Sequence, residues 1–398
     1  MVALKPRPSQ KYLMQNKLRI AMIGAAGKVA APCHLNALQN IDRVNLCALC
    51  DSDKDRLDVV SQQHSVKKVY TNFESVLADD EIDAVDIVVP PFLHADMAIA
   101  AAQAGKHIYV EKPMSRSVGE ARKMIDAADI AGVQLMVGES YYFHGAHQLA
   151  HRLIQQGEIG EILQVRQTKA PWVFTETETQ RLDGRGHDVA WRFDPTLSGG
   201  GSFPWMMDHG PHLFATARLL AGKQSIDQVV ALARNSGYGP EKHLRGITAV
   251  SWTYAHGAAD GVWTHVENKP EGGRYIGFRT EVMGTHGTLL AFGEGGGAAP
   301  GFAQVPPVTI FKNGTTHEFE LDEPSDRSWV SNNSYYDQAH THALQHFADS
   351  ILDGNPLEYD GNHGLLDITA TLATIQSAIK GHAVRLDDVK DDWTPNIT

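Results

Sequence analysis

The feature that most constrains this chain is a strand, tight turn and helix that repeats through its first third. Leu18 to Ile23 (LRIAMI) is a short apolar run ending in Gly24, and helical spacing follows as far as Gln39. The unit recurs as VNLCALC before the charged stretch from Asp53, AVDIVVP before HADMAIAAAQAG, HIYVEKP before SVGEARKMIDAADIAG, and a closing QLMVG. Short continuous apolar strands alternating with helices predict an α/β architecture, a parallel sheet covered on both faces. Ligands of such sheets bind beyond the C-terminal ends of the strands.

The first strand end reads Gly24-Ala25-Ala26-Gly27-Lys28-Val29. Against the dinucleotide pattern Gly-x-Gly-x-x-Gly, only the first glycine is in register, with Ala26 at the second position and Gly27 just after it. A turn without bulky side chains lets a pyrophosphate approach the N–H groups at the helix start. Pro32 suits the first helical turn, where a missing N–H costs little. Asp51 stands at the tip of the second strand, 27 positions after Gly24. There a carboxylate can accept both ribose hydroxyls and repel a 2′-phosphate, which favours NAD over NADP; the competing reading is a cap for the next helix.

A chain of 398 residues exceeds one average domain, and the texture changes after Gly138. The expected division is residues 1–140 and 141–398. The second part holds β-rich stretches, among them EILQVRQTKA, ITAVSWTY, RYIGFRTEVMG and VTIFKNG. They predict an α+β domain with an open, mainly antiparallel sheet. Two helices, near Tyr336 to Leu352 and Gly364 to Lys380, close the chain and could pack back on the first domain, and GEGGGAAPGF reads as a flexible excursion. A formal net charge of -12 argues against nucleic acid, whose affinity comes from Lys and Arg neutralising phosphates. No secretory or membrane-spanning stretch is evident. Three cysteines, Cys33, Cys47 and Cys50, make no disulfide framework, so a cytoplasmic protein is expected. Cys47 and Cys50 read as small core residues of a strand.

Three features carry chemistry. Glu111-Lys112-Pro113 ends the fifth strand, placing a lysine at the C-terminal edge of the sheet. Ser198-Gly199-Gly200-Gly201 leads into a segment with Asp208 and His212, four apart and so on one helical face. Oxidation of a secondary alcohol needs a base for the hydroxyl proton, a cation or donor for the developing alkoxide and a hydride acceptor. Lys112, Asp208 and His212 supply the first two. No metal site is expected: neither His144, His147 and His151 nor His340, His342 and His346 have a known ligand spacing, and His147 and His151 read as a solvated or interface face. Tyr142, Trp172, Trp191 and Trp205 are either core or a stacking surface for a sugar ring, with His187 a further pocket candidate.

From about Arg19 to Leu386 the chain resembles the glucose-fructose oxidoreductase, inositol dehydrogenase and MocA (GFO/IDH/MocA) family. The likeness rests on the Gly24 turn, DIVVPPFLHADMAIAAAQAGKHIYVEKP, LIQQGEIGEI, WRFDPTLSGGG and DHGPH. It implies an N-terminal Rossmann dinucleotide-binding domain, a second α/β domain with an open sheet and an active site between them. It also implies NAD(P) as cofactor, a sugar or polyol as substrate, and a homodimer or homotetramer formed by sheets face to face. Lys112 would contact cofactor and substrate, and Asp208 and His212 would orient the substrate and transfer its proton. Pro90, Pro91 and His94 would line the nicotinamide side, Glu111 would flank the cofactor, and Trp191 and Arg192 would lie near cofactor or substrate. Two departures stand out. The turn has one residue more before its helix than many relatives, and Tyr142 stands where relatives commonly carry arginine, which suits an uncharged substrate. Two rival readings are an enzyme that recycles bound NAD internally for elimination, glycoside cleavage or epimerisation, and a non-catalytic NAD sensor.

Overall fold

The computed structural model describes residues 16–27, 30–169, 195–235, 246–257, 259–266, 278–293, 306–323 and 335–395. The chain divides into two compact units. The first comprises residues 1–115, 119–138 and 340–365, and the second residues 116–118, 139–339 and 366–398.

In the first unit, β1 (Leu18–Ile23) is buried along almost its whole length because it pairs in parallel with β2 (Val44–Cys50) on one side and β4 (Ala84–Ile87) on the other. A central strand covered on both faces has no use for alternation, which explains the apolar run from Ile20 to Ile23. Its leucine, isoleucine and methionine side chains each contribute about 1.5–3 kcal/mol on burial. With β3 (Val69–Tyr70), β5 (His107–Glu111) and β6 (Leu135–Gly138), the six-stranded order is β3-β2-β1-β4-β5-β6. The crossovers include α1 (Ala31–Asn40), α2 (Lys54–His64), α3 (Phe73–Leu77), α4 (His94–Gln103) and α5 (Val118–Ala131). Asp53 and Asn72 cap α2 and α3 by accepting the backbone N–H of Arg56 and Ser75. Pro32 lies in the first turn of α1. The stretch 340–365 joins this unit: Arg43 pairs with Asp349 at 2.6 Å and Asp353 at 2.7 Å, and Phe347 packs edge-on against Tyr109.

The second unit is built on nine strands in the order β14-β13-β12-β11-β7-β10-β9-β8-β15. These are β7 (Ile162–Lys169), β8 (Ile226–Asn235), β9 (Gly246–Tyr254), β10 (Asp260–Val266), β11 (Phe278–Gly284), β12 (Thr288–Phe292), β13 (Val308–Lys312), β14 (Thr315–Phe319) and β15 (Val384–Arg385). All neighbours run antiparallel except β7 and β10, which are parallel. One face is buried under helices α6 (Gly145–Gln155), α8 (Pro204–Leu220) and the later part of α10 (Gly361–Lys380). Phe214 of α8 meets Trp252 and Trp263 edge to face, and Ala231 donates its N–H to Ser377 Oγ at 2.9 Å. A buried pair, Arg218 to Asp367 at 2.8 Å, ties α8 to α10; removing one partner of such a pair costs about 3–5 kcal/mol. Among the described residues no helix covers the other face, on which β8 shows Val230 at 44% and Leu232 at 75% exposure. Asn313 and Gly314, both with positive φ, make the tight hairpin between β13 and β14.

Tyr335–Asp353 (α9) and α10 match the two closing helices expected. Cys50 is buried and Cys47 partly so, its thiol against the Ile20 carbonyl. The GEGGGAAPGF excursion lies outside the described residues beyond its first glycine. No helix among the described residues is long and apolar enough to cross a membrane.

Candidate functional site

Gly24 is the glycine the turn cannot exchange. Its φ is +80°, and a Cβ there would stand 2.3 Å from the Val88 carbonyl oxygen. The turn hangs from the tip of β2: Gly24 and Ala25 donate to the Cys50 carbonyl at 2.8 and 3.1 Å. Ala26 N–H donates to Asp51 Oδ2 at 2.9 Å, and the other Asp51 oxygen accepts from Asp53 N–H at 2.9 Å. Asp51 is therefore not the cap of α2, a task Asp53 performs. The Arg56 guanidinium donates to the Ala26 carbonyl. No side chain caps α1, whose preceding residue is Ala30, so its first N–H groups suit an anion. Gly27 closes the turn on the Gly24 carbonyl at 3.1 Å; Lys28 and Val29 lie outside the described residues.

Pro90 and Pro91 follow β4 and open a short 3-10 turn (Pro91–Leu93). His94 is fully buried, its ring nitrogens 2.9 and 2.7 Å from the carbonyls of Pro113 and Val89. Burial lowers its pKa. It braces the Glu111-Lys112-Pro113 turn against the β4 tip. The Lys112–Pro113 peptide is cis, and Lys112 N–H donates to Glu111 Oε2 at 3.1 Å.

Glu111 is the end of a buried chain. His34 Nε2 lies 2.9 Å from Glu111 Oε1 while its Nδ1 lies 2.9 Å from Asp86 Oδ2. Both ring nitrogens face carboxylates, so the ring holds both protons. Burial opposes that charge, but Asp86 and Glu111 outweigh it and raise His34 to about 10. Burial likewise works against the Glu111 carboxylate, yet His34 holds it down at about 2. Among the described residues, His34, Glu111 and His340 are one group whose ligand atoms could hold a metal, all within 4.8 Å of one another. An ion there would have to displace the strongly held imidazolium proton.

In the second unit, Gly199 and Gly201 adopt positive φ between α7 (Pro195–Ser198) and α8, and α8 then carries Asp208, His209 and His212. Pro211 interrupts the helix interior, where it removes one backbone hydrogen bond. His212 Nδ1 is hydrogen-bonded to Glu139 Oε1. A carboxylate only accepts, so Nδ1 carries the proton and Nε2 keeps its lone pair. Tyr141 stacks on His212 with ring centroids 4.1 Å apart and planes 14° apart. Glu139 is buried and also accepts the Tyr141 N–H at 3.0 Å. Asp208, expected to serve His212, has its carboxylate 3.9 Å from His209 Nε2.

Glu139 and Tyr141, which hold His212 here, are not among the residues that motif and spacing single out. The signal for Glu139 was present in the sequence: it immediately follows β6, at a C-terminal strand tip. Trp205 and Tyr142, expected near substrate, are both buried. Trp205 Nε1 donates to Thr248 Oγ1 at 2.9 Å, which favours its core reading. His147 corrects an expectation: it is buried rather than on a solvated face, with Nδ1 2.7 Å from the Tyr141 carbonyl. Its helix α6 turns that face toward Phe278 and Tyr141. His151 is half-buried and bonds the Leu219 carbonyl at 2.9 Å. Trp172, His187, Trp191 and Arg192 lie outside the described residues.

A parallel sheet in this strand order, with a glycine turn and an acidic residue at its first two strand tips, defines the class of Rossmann nucleotide-binding proteins. Residues 18–139 match the family model of the NAD-binding Rossmann fold of the oxidoreductase family, and residues 147–290 match the GFO/IDH/MocA C-terminal domain. The chain belongs to the GFO/IDH/MocA family of oxidoreductases. It is 32% identical over 201 residues to a D-xylose 1-dehydrogenase (NADP(+)) of Haloferax volcanii, covering 50% of this chain and 56% of that one. It is 34% identical over 175 residues to the levoglucosan dehydrogenase of Pseudarthrobacter phenanthrenivorans, covering 44% and 41%. The matched stretches thus span about half the length of these relatives. In fold it is similar to an oxidoreductase from Agrobacterium radiobacter solved with NAD+, L-tartaric acid and magnesium, at a TM-score of 0.77 and 19% identity over 93% of this chain and 99% of that one.

Proposed function

We propose that this protein is an NAD-dependent oxidoreductase that moves a hydride between nicotinamide and a secondary hydroxyl or keto carbon of a sugar, polyol or glycoside. The observation that carries the reading is the His212–Glu139 pair. A buried carboxylate holds the Nδ1 proton and leaves Nε2 as the nitrogen able to take a hydroxyl proton and return it. Glu139 also steadies the imidazolium that forms when His212 accepts the proton, as a carboxylate does behind a catalytic histidine.

The turn at Gly24 suits a dinucleotide, since Gly24, Ala25, Ala26 and Gly27 carry no bulky side chain ahead of the uncapped start of α1. Gly24, Ala26 and Gly27, with Lys28 and Val29, would hold the pyrophosphate, and Asp51 the ribose hydroxyls. When bound, the nicotinamide supplies the hydride acceptor or donor. Pro90, Pro91 and Glu111 would border it, His94 bracing their turn. Trp191 and Arg192 would lie beside cofactor or substrate. Lys112 polarises the reacting oxygen, and Asp208 with His212 orients the substrate. Tyr142, His187 and Trp205 complete the substrate set carried over from the family likeness. That the relatives include dehydrogenases of D-xylose and levoglucosan supports an uncharged sugar. The exposed Val230 and Leu232 of the open sheet face support a homodimer or homotetramer, and three cysteines without a mutual disulfide suit the cytoplasm.

The test is a screen of D-xylose, levoglucosan, inositols and glycosides with NAD and with NADP, read by reduced-cofactor fluorescence. Lys112→Met should lower kcat by about 10²–10⁴-fold while NAD still binds. Turnover unchanged in that variant, or no reduced cofactor with any sugar, would overturn the reading.

A further inference from the structure

Helix α8 carries two imidazoles three residues apart, and the functional reading uses only His212. The other, His209, is held by a buried cation. Lys169, the last residue of β7, is 2% exposed, on the inward side with Val165 and Gln167. Its Nζ lies 3.0 Å from His209 Nδ1 and 3.3 Å from the Tyr141 hydroxyl. Burying an ammonium is costly, so its hydrogens must be well used.

An ammonium has three hydrogens and no lone pair. Lys169 therefore donates to His209 Nδ1, which must be an acceptor, and the ring proton sits on Nε2. That nitrogen faces Asp208 Oδ2 at 3.9 Å. His265, the direct neighbour of Lys169 in the parallel pairing of β10 with β7, sets its ring edge-to-face on His209 with centroids 5.0 Å apart. Lys169 Nζ also stands 5.6 Å from the centre of the Tyr141 ring, on which His212 is stacked. One cation thus touches the groups that flank both Asp208 and His212.

We propose that Lys169 is a positioning residue of the proton-transfer set, fixing the Nε2–H tautomer of His209 toward Asp208 and holding the Tyr141 ring against which His212 is stacked. The proposal rests on the dehydrogenase reading for its effect on rate, but its tautomer claim stands on the second unit alone. His209 thereby presents its Nε2–H toward Asp208 at 3.9 Å, while His212 is hydrogen-bonded to Glu139.

The test uses the full chain labelled with ¹⁵N-histidine. In the unaltered protein His209, identified by its loss in His209→Gln, should show a protonated Nε2 and an unprotonated Nδ1. Lys169→Met should convert that signal to a tautomer mixture. With the fastest sugar of the screen, kcat should fall at least about 10-fold while the NAD dissociation constant changes by less than about threefold. Methylamine should restore part of the rate in Lys169→Ala. A protonated Nδ1 on His209 in the unaltered protein overturns the proposal even if no variant folds. So does a kcat within twofold of the original in a folded Lys169→Met. Failure of every sugar to turn over defeats the dehydrogenase reading instead, and leaves the tautomer result to decide the positioning claim.

Discussion

His212 donates its Nδ1–H to Glu139, a residue 73 positions earlier in the chain. The pair joins a helix to the residue just beyond a strand tip. It makes this carboxylate a group that fixes the imidazole. Glu139→Gln keeps the shape but offers Nδ1 either an amide oxygen or an amide N–H, so the tautomer is no longer imposed. The expected result is a kcat lowered by about 10²–10⁴-fold with cofactor affinity and melting temperature close to the original. Steady-state kinetics together with thermal melts check it. Full activity in this variant would remove Glu139 from the mechanism.

Asp51 has one oxygen on the Ala26 N–H and the other on Asp53 N–H. Its charge therefore sits fixed beside the glycine turn rather than swinging with α2. Asp51→Ala should lower kcat/KM for NAD by about 10–100-fold and move preference toward NADP, because it removes the carboxylate proposed to hold the ribose hydroxyls and repel a 2′-phosphate. Paired assays with the two cofactors decide this, and an unaltered NAD to NADP ratio would show that another group sets the choice.

Stability should depend on pH through histidines whose environments pull in opposite directions. Burial lowers His147 to about 4 and His340 to about 3, from 6.5. For such a group the unfolded chain binds more protons below 6.5, so stability declines as pH falls from 6.5 through the folded value. His34, raised to about 10, contributes stability that is complete below 6.5 and lost as pH rises toward 10. Melting temperature should accordingly be highest near pH 6.5 and decline on both sides. His147→Gln, whose amide can still donate to the Tyr141 carbonyl, should make the acid limb shallower in melts between about pH 4 and 7. An acid limb of the same slope would place the titration elsewhere.

The N-terminal sheet was legible because its strands are covered on both faces and so read as short, mainly apolar runs, punctuated by glycine, proline and capping residues at the turns. The second sheet was legible from alternation: β9 places Thr248, Val250, Trp252 and Tyr254 inward with Ala249 and Ser251 outward. Lys112, Asp208 and His212 could be picked out from motif and spacing, since a strand tip and a four-residue interval are local properties.

The partners of those residues were not local. Spacing along α8 pointed to Asp208 for His212, yet the strand arrangement brings Glu139 to that ring and Lys169 to the neighbouring one. The same is true of His34, which no interval links to Asp86 or Glu111 and which the sheet order alone sets between them. Sequence determined which backbone elements form and which chemical groups stand at their ends, because period and turn chemistry act over a few residues. Tertiary structure decided which groups share protons, because a hydrogen bond is set by separation in space and says nothing about separation along the chain.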